Sequence, residues 1–211
     1  RQHRDTMPLM PPTERYHHGD LPNALRRAAV EVIGERGVSG FSLREVARRA
    51  GVSHAAPAHH FGDVRGLLTS VAAEGFTELE RTISAAAALH DDPVEQLMAI
   101  GEAYVELART HPAHCAVMFR PDLVDEDDDH LSRCGLSAYE VLEATVRRVI
   151  AKRGLDPDLD LATWMCWSTI QGLVELEAKF AEIDEIRGRA TPSTRDLVRS
   201  FTGIIVRGLG S

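Results

Sequence analysis

The chain has 211 residues, a formal charge of −8, 44% hydrophobic and 27% charged residues, the balance of a soluble globular protein of one domain or two small ones. Charge or glycine interrupts every apolar run well before the ~18 residues that a membrane span needs, and nothing at the start reads as a secretory signal, so a cytoplasmic protein with no membrane partner is expected. Cys115, Cys134 and Cys166 are odd in number, widely spaced and without a CxxC pair, which argues against a disulfide framework and against a zinc site.

Residues 1–18, rich in proline and polar groups without periodicity, read as an N-terminal arm. Asp20 is placed to cap a first helix whose apolar positions Leu25, Ala28, Ala29, Val32 and Ile33 follow the 3.6-residue period and which stops at Gly37. Ser42 and Glu45 have the spacing of a capping box for a second helix, with Phe41 and Val46 as a hydrophobic staple. Gly51 then supplies a tight turn, and Ser53 is expected to cap a third helix. This is helix-turn-helix spacing, with Pro57 an apparent breaker about four residues beyond the expected cap.

A long helix is predicted from Asp63 to about Leu89, striped by Leu67, Leu68, Val71, Phe76, Leu79 and Ile83. Further helices are predicted at roughly 93–110, 112–119, 131–153, 159–180 and 193–209, and almost no strand. The penultimate one has apolar residues all round its axis, and the last carries a broad stripe of Leu197, Val198, Phe201, Ile204, Ile205 and Leu209. A second subunit is the simplest cover for both, which makes Leu173, Phe201 and Ile205 the expected interface residues.

Charge is unevenly placed. Through residue 70 there are ten arginines against seven acids, a local +3, while the remainder carries −11. Six of the ten histidines also lie in that basic first third. A basic head on an acidic body suits a protein whose head alone meets phosphate.

The segment "FSLREVARRAGVSHAAPAHHF", followed by Leu67 and Leu68, resembles the DNA-binding segment of the TetR family of bacterial regulators, and the remainder has that family's length and all-helical layout. Within the family, "GVSHAAP" and "WSTIQGLVEL" resemble the group named for a Trp-His-Gly motif, with Gln171 standing before Gly172 in place of the usual histidine. The resemblance covers about residues 17–209. It implies an all-α fold of about nine helices: a helix-turn-helix head over residues 19–66 and a ligand-binding and dimerisation body over residues 67–211. It further implies a homodimer on palindromic operator DNA, and a pocket in which an unidentified small molecule alters DNA affinity.

Two departures bear on that expectation. Ala58 stands where the family commonly has tyrosine, and Val64 where a lysine commonly meets phosphate. The helix-turn-helix places residues 54–60 toward base edges, yet "HAAPAHH" contains no Arg, Lys, Asn or Gln, the usual bidentate readers. Recognition is therefore expected to lean on phosphate contacts and DNA shape. Ser42, Arg44, Ser53, His54, Ala55, His59, His60 and Arg65 are the candidate DNA contacts, with Arg15, His17 and His18 of the arm.

Tyr104, Phe119, Trp164, Trp167 and Gln171 are the candidate ligand contacts: aromatic residues and one amide, suited to an apolar ligand with one or two polar groups. The histidine pairs lack a ligand set at metal spacing, and "DEDDD" at 125–129 lacks the glycine and alternation of a calcium loop. There is neither a GxSxG elbow nor a Gly-rich phosphate loop. No catalytic residue, metal or cofactor is expected, and the reading is a ligand-responsive regulator of the repressor kind. Its alternative is a helical small-molecule or protein-binding dimer whose head has lost sequence-specific DNA binding.

Overall fold

A computed structural model describes residues 20–209. Over these residues the chain forms nine α-helices and no strand. The head contains α1 (Leu21–Arg36), a single 3-10 turn (Val38–Gly40), α2 (Leu43–Arg49) and α3 (Ala56–Phe61). The body contains α4 (Val64–Ala87), α5 (Pro93–Thr110), α6 (Pro112–Met118), α7 (Asp129–Arg153), α8 (Leu159–Ile186) and α9 (Thr194–Gly208). No helix among the described residues is long and apolar enough to cross a membrane.

The starts follow the sequence signals. Ser42 Oγ accepts from the Glu45 amide at 3.3 Å, and Asp63 Oδ1 from the Gly66 amide at 2.9 Å. Asp92, Asp128, Asp158 and Ser193 cap α5, α7, α8 and α9 in the same way, each satisfying an amide with no partner inside its helix. The capping box at α2 closes on one side only, because the Glu45 carboxylate is held by Arg48 at 2.9 and 2.7 Å.

Three local expectations are corrected. Asp20 occupies the N-cap of α1 but its side chain accepts no backbone amide there; its carboxylate takes the Asn23 side chain instead. Ser53 does not cap α3: its carbonyl closes a turn with the Ala56 amide at 3.0 Å, and Ala55 is the N-cap. Pro57 is consequently the second residue of α3 and buried. A proline there removes an amide that has no intrahelical acceptor, so it starts the helix rather than breaking it. The eighth helix also runs six residues past its predicted end at 180, to Ile186, where Gly188 at φ 63° reverses the chain.

The central element is α4, which packs against α1 and α3 at one end and against α5, α6 and α7 along its length. Leu67, Leu68, Val71, Leu79 and Ile83 are all buried in one continuous core that also takes in Val32 and Val46 of the head. Close approach of α6 depends on Gly75, since a Cβ there would lie 2.6 Å from Met118 Sδ and 3.0 Å from His114 Cβ. Head and body therefore share one hydrophobic core through α4.

Candidate functional site

On the head, Ser42, Arg44, Ser53, His54, Ala55, His59, His60 and Arg65 are all exposed, and they come from α2, the turn, α3 and the first turn of α4. The rings of His59 and His60 meet edge to face at 5.3 Å. Arg15, His17 and His18 lie outside the described residues.

Most of the head's positive charge is internally engaged. Arg49 grips Glu35 at 2.7 and 2.6 Å, holding α2 to α1, and Glu45 takes Arg36 at 3.1 Å as well as Arg48. The hydrogen bonds from Arg48, reinforced by Arg36 and Arg49, hold the Glu45 carboxyl at about 2, against an ordinary 4.5. Arg26 pairs with Glu74 at 3.2 Å. Arg65 donates to the Pro121 carbonyl at 3.2 Å. Arg44 alone among the head's described arginines has neither a hydrogen bond nor an ion pair.

The loop following α6 is fastened to the same end of α4. Thr69 Oγ1 donates to the Arg65 carbonyl at 2.8 Å and accepts from the Asp125 amide at 2.8 Å, and Arg120 binds Asp122 at 2.9 and 2.7 Å. The acidic run therefore starts beside Arg65.

In the body, a narrow slot of about 50 Å³ opens between five helices. From α4 and α5 come Leu79, Ile83, Leu97, Ile100, Gly101 and Tyr104; from α7, α8 and α9 come Leu142, Cys166, Trp167, Ile170, Thr202 and Ile205. No charged side chain lines it. Desolvation pushes the Tyr104 phenol well above its usual range and the Cys166 thiol up to about 11, so both stay protonated near neutrality.

The five expected ligand contacts separate. Tyr104 and Trp167 line the slot. Gln171 stands behind Tyr104 as its hydrogen-bond acceptor. Phe119 sits outside the slot and packs edge-on against Trp167 at 6.0 Å and Phe76 at 5.3 Å. Trp164 is 59% exposed on the outer side of α8. The i, i+3 step leaves Trp164 and Trp167 only about 60° apart round the helix, so the edge of the α8 contact runs between them.

The three expected interface residues are also placed inside the chain. Leu173 is 1% exposed and packs with Val105 and Val198; Phe201 leans on that cluster. Ile205 lines the slot. The breadth of the α9 stripe hid this, because one side is consumed by α5 and α8 before any partner is reached. On these two helices the large apolar side chains left exposed are Leu161, Trp164, Met165, Leu176, Ile183 and Ile186 of α8 and Ile204 of α9. Sequence reading missed the slot residues Thr202 and Gly101. Gly101 could have been found as a lone glycine inside a helix pattern: a Cβ there would lie 2.8 Å from Val198 Cγ1.

Among the described residues, no cluster of three or more His, Cys, Asp or Glu side chains could hold a metal ion.

Comparison with known proteins aligns both halves. Residues 25–71 match the family described as bacterial regulatory proteins, tetR family, and residues 97–201 match the tetracyclin repressor-like C-terminal domain. The chain is 36% identical over 77 residues to the HTH-type transcriptional regulator BetI of Stenotrophomonas maltophilia, across 36% of this chain and 39% of that protein. It is 34% identical over 116 residues to the HTH-type transcriptional regulatory protein RaaS of Mycobacterium tuberculosis, across 51% of this chain and 53% of that protein. Both matches thus span about half or less of the curated relatives. A solved protein of unknown function from Rhodococcus sp. RHA1 superposes with a TM-score of 0.79 at 28% identity, covering 94% of this chain and 100% of that one.

Proposed function

Because this chain belongs to the TetR family of bacterial transcriptional regulators, we propose that it acts in the cytoplasm as a homodimeric repressor of palindromic operator DNA, released by a small molecule bound in the body slot. The observation that carries the reading is the head: all eight candidate contact residues are exposed together on α2, the turn, α3 and the start of α4.

Arg44 is free to neutralise phosphate, and Ser42 and Ser53 offer hydroxyls to the same backbone. His54, His59 and His60 are the polar groups of the α3 segment, while Ala55 and Ala58 suit thymine methyls. Specificity then comes from a sparse base code and from DNA shape.

Dimerisation is supported by the apolar side chains that α8 and α9 leave uncovered, Trp164 and Ile204 at 59% and 58% exposure among them. Pairing these helices across a two-fold axis buries that surface and fixes the separation of the two α3 helices, which must be about 34–36 Å to enter successive major grooves. Since α4 contributes Leu79 and Ile83 to the slot and abuts α3 at its other end, a ligand that favours a shifted α4 would spoil that separation. The effector must prefer the shifted form, because equal affinity for both would change nothing.

Selection of bound duplexes from a random DNA library at near-physiological salt tests the reading. A palindrome with half-sites one helical turn apart is the expected product. A folded dimer that enriches no sequence would instead favour a ligand- or protein-binding dimer with a head that no longer reads DNA.

A further inference from the structure

The outward polarity of the α3 segment comes from one residue type. Pro57 is buried and Phe61, about one turn on, packs against the core, so these two form the inner side of the helix. His59 and His60 are left on the outer side, exposed together with His54 of the preceding turn. The remaining residues of "HAAPAHH" are alanines. Among the described residues none of the three imidazoles has a hydrogen-bond or ion-pair partner; their ring contacts are those of His60 with His59 at 5.3 Å and with Phe61 at 6.5 Å.

The fixed charges of the elements packed on α3 are largely spent. That helix rests on α2 and α4. On α2, Arg48 shares Glu45 with Arg36, and Arg49 is held by Glu35, which leaves Arg44. On α4, Arg65 donates to the Pro121 carbonyl two residues after the capping carboxylate of Asp63, and Glu74 is paired with Arg26. The surface around α3 therefore carries little uncompensated permanent positive charge, and the imidazoles are the groups able to add to it. A neutral imidazole has one N–H to donate, whereas imidazolium has two and a charge. Phosphate oxygens and the O6 and N7 edge of guanine are acceptors only, so the charged ring is the better partner for both, and a nearby phosphate in turn raises its affinity for the proton.

We propose that DNA binding by this head is proton-linked: His54, His59 and His60 enter the complex as imidazolium donors to phosphate and guanine edges, and the head takes up protons as it docks. This rests on the head being a DNA reader. A ring that holds its proton more tightly in the complex than in the free protein contributes affinity that is fully present in acid and is lost as pH rises through the range in which histidine titrates. The adjacency of His59 and His60 makes the second proton of that pair harder to add than the first, which spreads the uptake over a broad pH interval.

Fluorescence anisotropy of a labelled, mixed-sequence duplex with the whole chain, at constant low salt, tests this, and titration calorimetry in buffers of different ionisation heat counts the protons taken up. Affinity is expected to fall at least about tenfold from about pH 6 to about pH 8, with net proton uptake on binding and a shallower salt slope at the higher pH. The triple variant His54→Gln, His59→Gln, His60→Gln keeps a polar side chain at each exposed position but cannot take the charge; it should lose both the pH dependence and the proton uptake, with an unfolding transition like that of the wild type. Affinity that is flat in pH, for protein that binds the duplex, overturns the linkage and leaves the DNA-binding reading standing. A pH dependence that survives in the triple variant assigns the protons to other groups, such as His17 and His18 of the arm, and overturns the role of the α3 segment. No binding at any pH, by protein with a native unfolding transition, overturns the linkage and the DNA-reading head together.

Discussion

Arg65 donates to the main-chain carbonyl of Pro121 across the junction between α4 and the loop after α6, at 3.2 Å. The arginine adjacent to Val64, the position where the family commonly has a phosphate-binding lysine, is thus already occupied by the body, and Arg44 is the head arginine left without a partner.

Arg44→Ala should weaken binding to all DNA sequences alike and lower the slope of log affinity against log salt by about one. Arg65→Ala should lower it by less, because its guanidinium must first leave Pro121. Fluorescence anisotropy across a salt series separates the two. Equal slopes for wild type and Arg44→Ala would remove Arg44 from the phosphate contacts.

The exposed apolar side chains of α8 and α9 predict a contrast between variants. Trp164→Glu and Ile204→Glu should produce folded monomers by light scattering, since both residues lie outside the chain's own core. Leu173→Ala should instead destabilise the subunit by about 2–5 kcal/mol, as expected for a fully packed leucine, with the oligomeric state retained. Dimers that survive both glutamates would move the interface elsewhere.

Glu45 predicts an acid limb in the stability of the head. Its folded-state value of about 2, set first by the hydrogen bonds from Arg48 and then by Arg36 and Arg49, lies below the ordinary 4.5. The stabilisation is therefore complete above about 4.5 and is lost as pH falls toward 2. Glu45→Gln should be less stable than wild type near neutrality, with the two curves converging in acid. Parallel curves in urea titrations at several pH values would contradict this.

His114 has the opposite electrostatic character. Burial lowers its affinity for a proton below the ordinary 6.5, against the pull of Glu74 and Glu78 and with His111 adding repulsion, and its Nδ1 is buried without a partner. Wild-type stability should accordingly fall as pH drops below 6.5, because the unfolded chain takes up the proton first. His114→Leu should flatten that fall. An unchanged profile between pH 6.5 and about 5 would show that His114 is not the group responsible.

The helices were readable because six of them, α2, α4, α5, α7, α8 and α9, begin at a side chain that caps them, and the long ones carry a 3.6-residue apolar period. What periodicity could not supply was which side of a two-sided helix faces inward. Trp164 and Trp167 are three residues apart, yet one is on the outer surface and the other in the slot. Leu173 and Ile205 read as interface positions because the packing of α9 on α5 and α8 is a tertiary fact. Against a cap at Ser53, Pro57 reads as a breaker; with the helix starting at Ala56 it is a first-turn residue. Tyr104 and Gln171 each stand out as polar groups on apolar helices, but they are 67 residues apart in sequence and their bond depends on the register of α5 against α8.

The single helix α4 has a mechanical consequence. At 1.5 Å per residue, the stretch from Val64 to the slot residues Leu79 and Ile83 is a stiff arm of roughly 25 Å. A tilt of about 5° pivoting at the slot would carry the tip beside α3 through roughly 2 Å, enough to break hydrogen bonds to a DNA backbone. In a two-fold assembly the partner's tip swings by the mirrored amount, so the gap between reading heads changes by up to twice the displacement of either, and a small molecule needs only a fraction of an ångström of leverage at the fulcrum.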